Sequence, residues 1–247
     1  VASTDGRKSI CAESDECAKA DANWTTPAEA PPSPGGGSGG GSGDIDPGGG
    51  GTNNEDIPCF PGDAGCPYSP IIINFGGGGY RLTGSNAPVS FDMSGNGHPM
   101  LMGWTAARTD EAFLWLDRNH NGVVTSGAEL FGNFTPLQSG QLARNGFEAL
   151  AEYDSNHDGV IDSRDPIWPQ LLLWRDLNHN GVSEPAENSR LDASDVTAID
   201  LHDHWTGRHD AWGNIFRYKS LISVRNESGH GVRTESVYDI FFVPVSK

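Results

Sequence analysis

An aspartate opens the same six-residue pattern three times, in Asp117-Arg-Asn-His-Asn-Gly122, Asp154-Ser-Asn-His-Asp-Gly159 and Asp176-Leu-Asn-His-Asn-Gly181. Oxygen-bearing side chains at positions 1, 3 and 5 with glycine at 6 suit a hard divalent cation. Such an ion takes about six to eight oxygens, and the glycine permits the sharp turn that brings them together. The third copy is the fullest: Asp176, Asn178 and Asn180, the Val182 carbonyl at position 7, Glu184 at 9 and Glu187 at 12. The second has Asp154, Asn156 and Asp158, the Val160 carbonyl, Asp162 at 9 and Asp165 at 12, where aspartate is shorter than the usual bidentate glutamate. In the first, Asp117, Asn119, Asn121 and the Val123 carbonyl fit, but position 12 is Ala128 and the carboxylate of Glu129 arrives one residue late. The loops are therefore expected at 117–129, 154–165 and 176–187, holding about two to three calcium ions. A fourth turn, Asp92-Met-Ser-Gly-Asn-Gly97, has Gly103 at position 12 and no late acid.

The same residues also fit metal-free turns, because Asp and Asn bond their own backbone and Gly adopts positive φ. Carboxylates at both 9 and 12 in the second and third copies favour the ion. Asparagine fills position 3 throughout, so ligand charge is low and affinity is expected on the order of 10⁻⁴–10⁻³ M, the range of extracellular modules. The position-4 histidines, His120, His157 and His179, are expected to face solvent. Asp165 precedes Pro166 and suits the cap of a helix starting there.

The segments that must position these loops lie in the second part of the 247-residue chain. Residues 1–69 are poor in apolar runs, and Gly35 to Gly51 reads as a flexible linker. Residues 70–247 hold six of the seven tryptophans and enough aliphatic runs for one core. Within it, Ile71–Phe75, Tyr80–Leu82, Val89–Phe91, Met100–Trp104, Val196–Leu201, Ile215–Val224 and Ser236–Val243 read as strands, and Ala112–Leu116 leads into the first loop. Asn145–Tyr153 and Pro166–Trp174 read as helices flanking the second loop, the first with Phe147, Leu150 and Ala151 on one face. The expected fold class is α+β: EF-hand-like calcium loops and short helices embedded between β-strands, after a disordered Gly-rich amino-terminal region.

Net charge is −17, of which residues 1–69 carry −8 and the rest −9. Such a field repels nucleic acid, and no basic stripe offsets it. Cys11, Cys17, Cys59 and Cys66 suggest two disulfides in an oxidising compartment, with three possible pairings. No run approaches the length of a transmembrane helix. The absence of an initial methionine fits a processed form or an excised piece. Sequons start at Asn23, Asn133 and Asn226.

Phe113-Leu-Trp-Leu-Asp-Arg-Asn-His-Asn-Gly122 with Glu129-Leu-Phe-Gly132, and Leu173-Trp-Arg-Asp-Leu-Asn-His-Asn-Gly181 with Glu187, resemble the EF-hand-like modules of secreted bacterial calcium-binding proteins, including those beside haemolysin-type repeats. The resemblance covers about residues 89–191 and implies a ligand role for Glu129, since a late glutamate recurs in such modules. Glycine-rich nonapeptide repeats are absent from this chain, so no toxin or protease activity is implied. The expected protein is secreted or at the cell surface, uses calcium structurally or in adhesion, and has calcium and another extracellular or cell-surface protein as partners.

Two other classes compete. Paired calcium loops behind a flexible linker are also similar to dockerins, small helical modules that dock proteins onto scaffolds. An enzyme would need the His202, His204 and His209 cluster with Asp203 and Asp210, the one concentration of transition-metal or catalytic groups. In a strand, His202 and His204 would share a face. No nucleophile elbow, zinc-protease helix or phosphate loop accompanies them, and no reaction can be named.

Overall fold

A computed structural model describes residues 67–226 and 231–245. The four cysteines, the Gly35–Gly51 linker and the sequon at Asn23 lie outside the described residues. What is described is a β-protein, not the α+β arrangement expected. Among the described residues, eleven strands occur with a single α-helix, α1 (Gly146–Ala151), and four short 3-10 turns.

The strands are β1 (Ile71–Asn74), β2 (Val89–Phe91), β3 (Met100–Met102), β4 (Glu111–Leu116), β5 (Val160–Asp162), β6 (Leu171–Trp174), β7 (Asn188–Arg190), β8 (Val196–Asp200), β9 (His204–His209), β10 (Ile215–Arg225) and β11 (Val232–Phe241). Nine of them form one sheet in the order β5-β8-β10-β11-β1-β4-β6-β7, with β9 also pairing β10. Every pairing is antiparallel. The β2–β3 hairpin stands apart, with Val89 opposite Met102.

The central strands read as continuous apolar runs because both faces of the sheet are covered. Ile71, Ile73, Leu114, Leu171 and Leu173 point to one side, where Phe131, Phe147, Leu150 and Trp168 pack. Ile72, Phe113, Trp115 and Trp174 alternate to the other, against Trp104, Phe91 and Phe242. The second side is aromatic: the Trp104 ring lies 4.7 Å from Phe113, 5.4 Å from Phe242 and 5.8 Å from Trp174.

The helix expected over Pro166–Trp174 is absent. A 3-10 turn at Trp168–Gln170 gives way to β6, which pairs with β4 through Phe113 opposite Trp174 and Leu114 opposite Leu173. Pro169 disrupts a helical first turn, and Leu171-Leu-Leu-Trp174 can bury both faces only as a strand between two others. Sheet position overrides the period-3.6 pattern. Loops one and three therefore follow strands β4 and β6, and only loop two follows a helix. This removes the helix-loop-helix frame on which both the EF-hand and the dockerin likeness depended. The helix expected at 145–153 does form, capped by the Asn145 side chain, which accepts from the Glu148 N–H at 2.8 Å. Tyr80–Leu82 is not a strand: only Leu82 makes a bridge, to Thr105.

Candidate metal centre

The three repeated loops share one backbone. Position 4 is left-handed in each, at His120 (φ 59°), His157 (φ 56°) and His179 (φ 62°), and so is position 6, at Gly122 (79°), Gly159 (80°) and Gly181 (69°). The first aspartate accepts from the N–H groups of positions 5 and 6. Asp117 takes those of Asn121 and Gly122, both at 3.0 Å. Asp154 takes Asp158 at 3.3 Å and Gly159 at 2.8 Å; Asp176 takes Asn180 at 3.1 Å and Gly181 at 2.8 Å. The position-3 oxygen of Asn119, Asn156 or Asn178 accepts from the position-5 N–H, and Asn121, Asp158 or Asn180 accepts from the N–H of Val123, Val160 or Val182. Nested turns of this kind fold the oxygens inward.

The late acids close the loops. In loop three, Glu187 accepts from Leu177 N–H at 2.9 Å and from Glu184 N–H at 3.4 Å; in loop two, Asp165 accepts from Ser155 N–H at 2.9 Å and Asp162 N–H at 3.1 Å. Position 12 thus ties positions 2 and 9 together in both. Asp165 spends its carboxylate on this closure instead of capping a helix at Pro166. In loop one the closing acid is Glu129, which accepts from Thr125 N–H at 2.8 Å and from its hydroxyl at 2.6 Å. The short 3-10 turn at Gly127–Glu129 brings this one-residue-late side chain back to position 9.

Loop three is anchored in the aromatic core. Trp104 donates its indole N–H to Asp176 at 2.8 Å, and Trp174 donates to Glu187 at 3.2 Å. His179 does not face solvent as expected. Its ring nitrogens lie 2.7 Å from the Thr105 carbonyl and 3.0 Å from the Ala87 carbonyl, pinning the loop to the flanks of the β2–β3 hairpin. His120 and His157 are exposed. Nothing in the repeat pattern itself distinguishes His179 from its two counterparts; the difference is what packs above it.

Charge is unevenly balanced. Hydrogen bonding from the Asn180 amide holds the Glu184 carboxyl below the usual range, while burial pushes Glu187 up. In loop two, hydrogen bonding from Arg164 lowers Asp162. Among the described residues four carboxylate oxygens are buried with no hydrogen-bond partner: Glu129 Oε1 and Glu184 Oε2 belong to these loops, Glu111 Oε2 and Asp239 Oδ1 lie elsewhere. A buried acceptor without a donor is costly, and the first two sit at loops whose remaining ligand positions are oxygen-bearing. The donor set therefore suits a hard cation: Asp117, Asn119, Asn121, the Val123 carbonyl and Glu129 in loop one, and Asp176, Asn178, Asn180, the Val182 carbonyl, Glu184 and Glu187 in loop three.

The Asp92 turn has the same inner geometry, with Asp92 accepting from Asn96 N–H at 3.2 Å and Gly97 N–H at 2.8 Å, and positive φ at Gly95 and Gly97. It lacks a closing acid. The histidine cluster does not assemble. His202 precedes β9, and its ring contacts Asp200 at 2.7 Å, while His204 and His209 sit exposed on the strand.

The expected partners need correction. Among the described residues, no three His, Cys, Asp or Glu side chains gather to hold a metal ion, and no surface identifies a second protein. No helix among them is long and apolar enough to cross a membrane.

A curled antiparallel sheet with turn-rich loops on its connections defines the class, and residues 71–242 match the family of SPM domains. The chain belongs to that family. It is also similar to the iron-regulated protein FrpA of Neisseria meningitidis serogroup C, 36% identical over 136 residues that make up 54% of this chain. The match spans 12% of that protein's length.

Proposed function

We propose that the loops at 117–129, 154–165 and 176–187 bind calcium, about two to three ions, and that calcium serves as a structural staple in a secreted or cell-surface protein. The observation that carries this is the shared loop backbone closed by a late acid, with Glu129 and Glu184 each keeping a buried carboxylate oxygen free of any donor. The backbone alone fits a metal-free turn; the unpaired oxygens favour a cation. When bound, calcium supplies positive charge that offsets converging carboxylates. The chain's own residues do the rest: the N–H fans orient the oxygens, and Trp104 and Trp174 hold the first and last acids of loop three against the sheet.

Isothermal titration calorimetry of the full chain against calcium chloride, with a chelator-treated control, tests the proposal. Saturable heats are expected at millimolar calcium or below. Asp176→Ala and Glu187→Ala each remove one ion. No calcium-dependent heat from the wild type would dismiss the proposal.

A further inference from the structure

The three loops differ at position 11. Loop one has Gly127 there and loop three Ala186, whereas loop two has Arg164. Its guanidinium lies across two ligand carboxylates: Nη2 is 2.6 Å from Asp158 Oδ2 and 2.7 Å from Asp162 Oδ2, and Nε is 3.0 Å from both Asp162 oxygens. The Arg164 N–H adds a bond to Asp162 Oδ1 at 2.8 Å. Asp158 and Asp162 are positions 5 and 9 of the loop. In loop three the corresponding bridge is a neutral amide, Asn180 Nδ2 to Glu184 at 2.9 Å, and in loop one the position-3 amide of Asn119 reaches Thr125 at 3.3 Å.

We propose that Arg164 is a resident counter-ion of the second loop, holding Asp158 and Asp162 when calcium is absent and competing with it when calcium is present. The proposal rests on the calcium reading above and adds how one of its sites is regulated. This loop carries four acidic side chains, Asp154, Asp158, Asp162 and Asp165, more than either other loop. Their repulsion would open it, and a positive charge on two of them relieves this. The side chain remains 59% exposed, so it can swing into solvent without unpacking the core. Asp154 is left to its backbone donors, and Asp165 to its backbone donors and the Ser155 hydroxyl. Loop two therefore keeps its shape without the ion, at the cost of affinity for it.

The test uses the full chain as wild type, Arg164→Gln, Arg164→Lys and Arg144→Gln, the last removing a charge from the exposed pair with Glu148. Calcium calorimetry with Asp154→Ala identifies the loop-two step. Arg164→Gln is expected to tighten that step about tenfold, the scale of one short-range charge at partial exposure, with Arg144→Gln unchanged and Arg164→Lys nearer wild type. Melting curves supply a readout that a merely structural arginine would not reproduce. In chelator Arg164→Gln melts below wild type, and added calcium closes or reverses the gap. Unchanged or weakened loop-two binding in Arg164→Gln overturns the counter-ion role while leaving the calcium proposal intact. If Asp154→Ala removes no binding step, calcium binding by this loop fails and the counter-ion role falls with it.

Discussion

Trp104 donates its indole N–H to the Asp176 carboxylate at 2.8 Å, across 72 residues of chain, so the first position of the third loop is fixed by the aromatic core rather than by the loop itself. Trp104 is fully buried and Asp176 nearly so. Trp104→Phe keeps most of the apolar volume and leaves a buried carboxylate short of a donor. A hydrogen bond to a charged group is worth about 1.5–3 kcal/mol. The variant is expected to melt lower by roughly 3–12 °C at about 2–4 °C per kcal/mol. Thermal unfolding in chelator measures this, and a melting curve coincident with wild type would show that Asp176 does not depend on the indole.

Glu129 tests whether a closing acid can arrive one residue late. Its Oε2 is occupied by Thr125 while Oε1 is buried and free. Glu129→Gln preserves size but removes the charge, and should abolish the loop-one ion while the other loops titrate normally. Glu129→Gln with unaltered stoichiometry would limit binding to loops two and three.

The loops were legible because their chemistry is local. Positions 1 to 6 bond one another, so Asp117 to Gly122 and its two counterparts fold as the spacing predicts. β1 and β10 were legible too, from apolar runs bounded by turns. What was not legible is nonlocal. Leu171–Trp174 is a strand only because β4 and β7 lie on either side, and its pattern alone suited a helix equally well. His179 looked like His120 and His157 until the β2–β3 hairpin was placed over it. The histidines at 202 and 204 shared a face only if one strand contained both, whereas β9 begins at His204.

Close backbone approach accounts for two glycines whose φ is ordinary. A Cβ on Gly132 would lie 1.7 Å from the Ser69 carbonyl oxygen, and one on Gly127 would lie 1.9 Å from that of Met93. Neither backbone can yield without disturbing β1 or the Asp92 turn. Gly132→Ala and Gly127→Ala are each expected to cost more than about 2 kcal/mol, as overpacking against main chain does. Gly78→Ala, with nothing within 4 Å, should be near neutral. Urea unfolding of the three variants separates them, and equal midpoints would contradict the packing.

Asp239 links stability to pH. It is fully buried on β11, opposite Ile71, and burial raises its carboxyl to about 7 despite the Gly146 N–H donating at 3.0 Å. Asp203 adds repulsion, while the Ser69 side chain and Arg217 pull the other way. A carboxyl with a raised folded pKa favours folding most below its unfolded value of 3.8, and this contribution is lost as pH rises through about 7. Asp239→Asn should remove that dependence and be more stable than wild type at pH 8. Melting temperatures from pH 5 to 8 would show wild type falling relative to the variant; parallel curves would mean Asp239 does not titrate in this window.

Calcium is expected to stabilise this fold rather than switch it. A sensor of the calmodulin type exposes a methionine-rich groove between helices when it binds. Among the described residues there is one short α-helix, and Met93 and Met102 are buried in the aromatic side of the core. Loops one and three begin directly from β4 and β6, which pair with each other along four residues, so neither loop can swing without breaking the central sheet. Binding to the folded form alone raises stability by about 2.7 kcal/mol at a hundredfold excess over Kd. Melting temperature should therefore climb with calcium concentration, and fluorescence of a hydrophobic dye should stay level or fall. A large calcium-induced rise in dye fluorescence without thermal stabilisation would mean that the loops release the sheet instead of holding it.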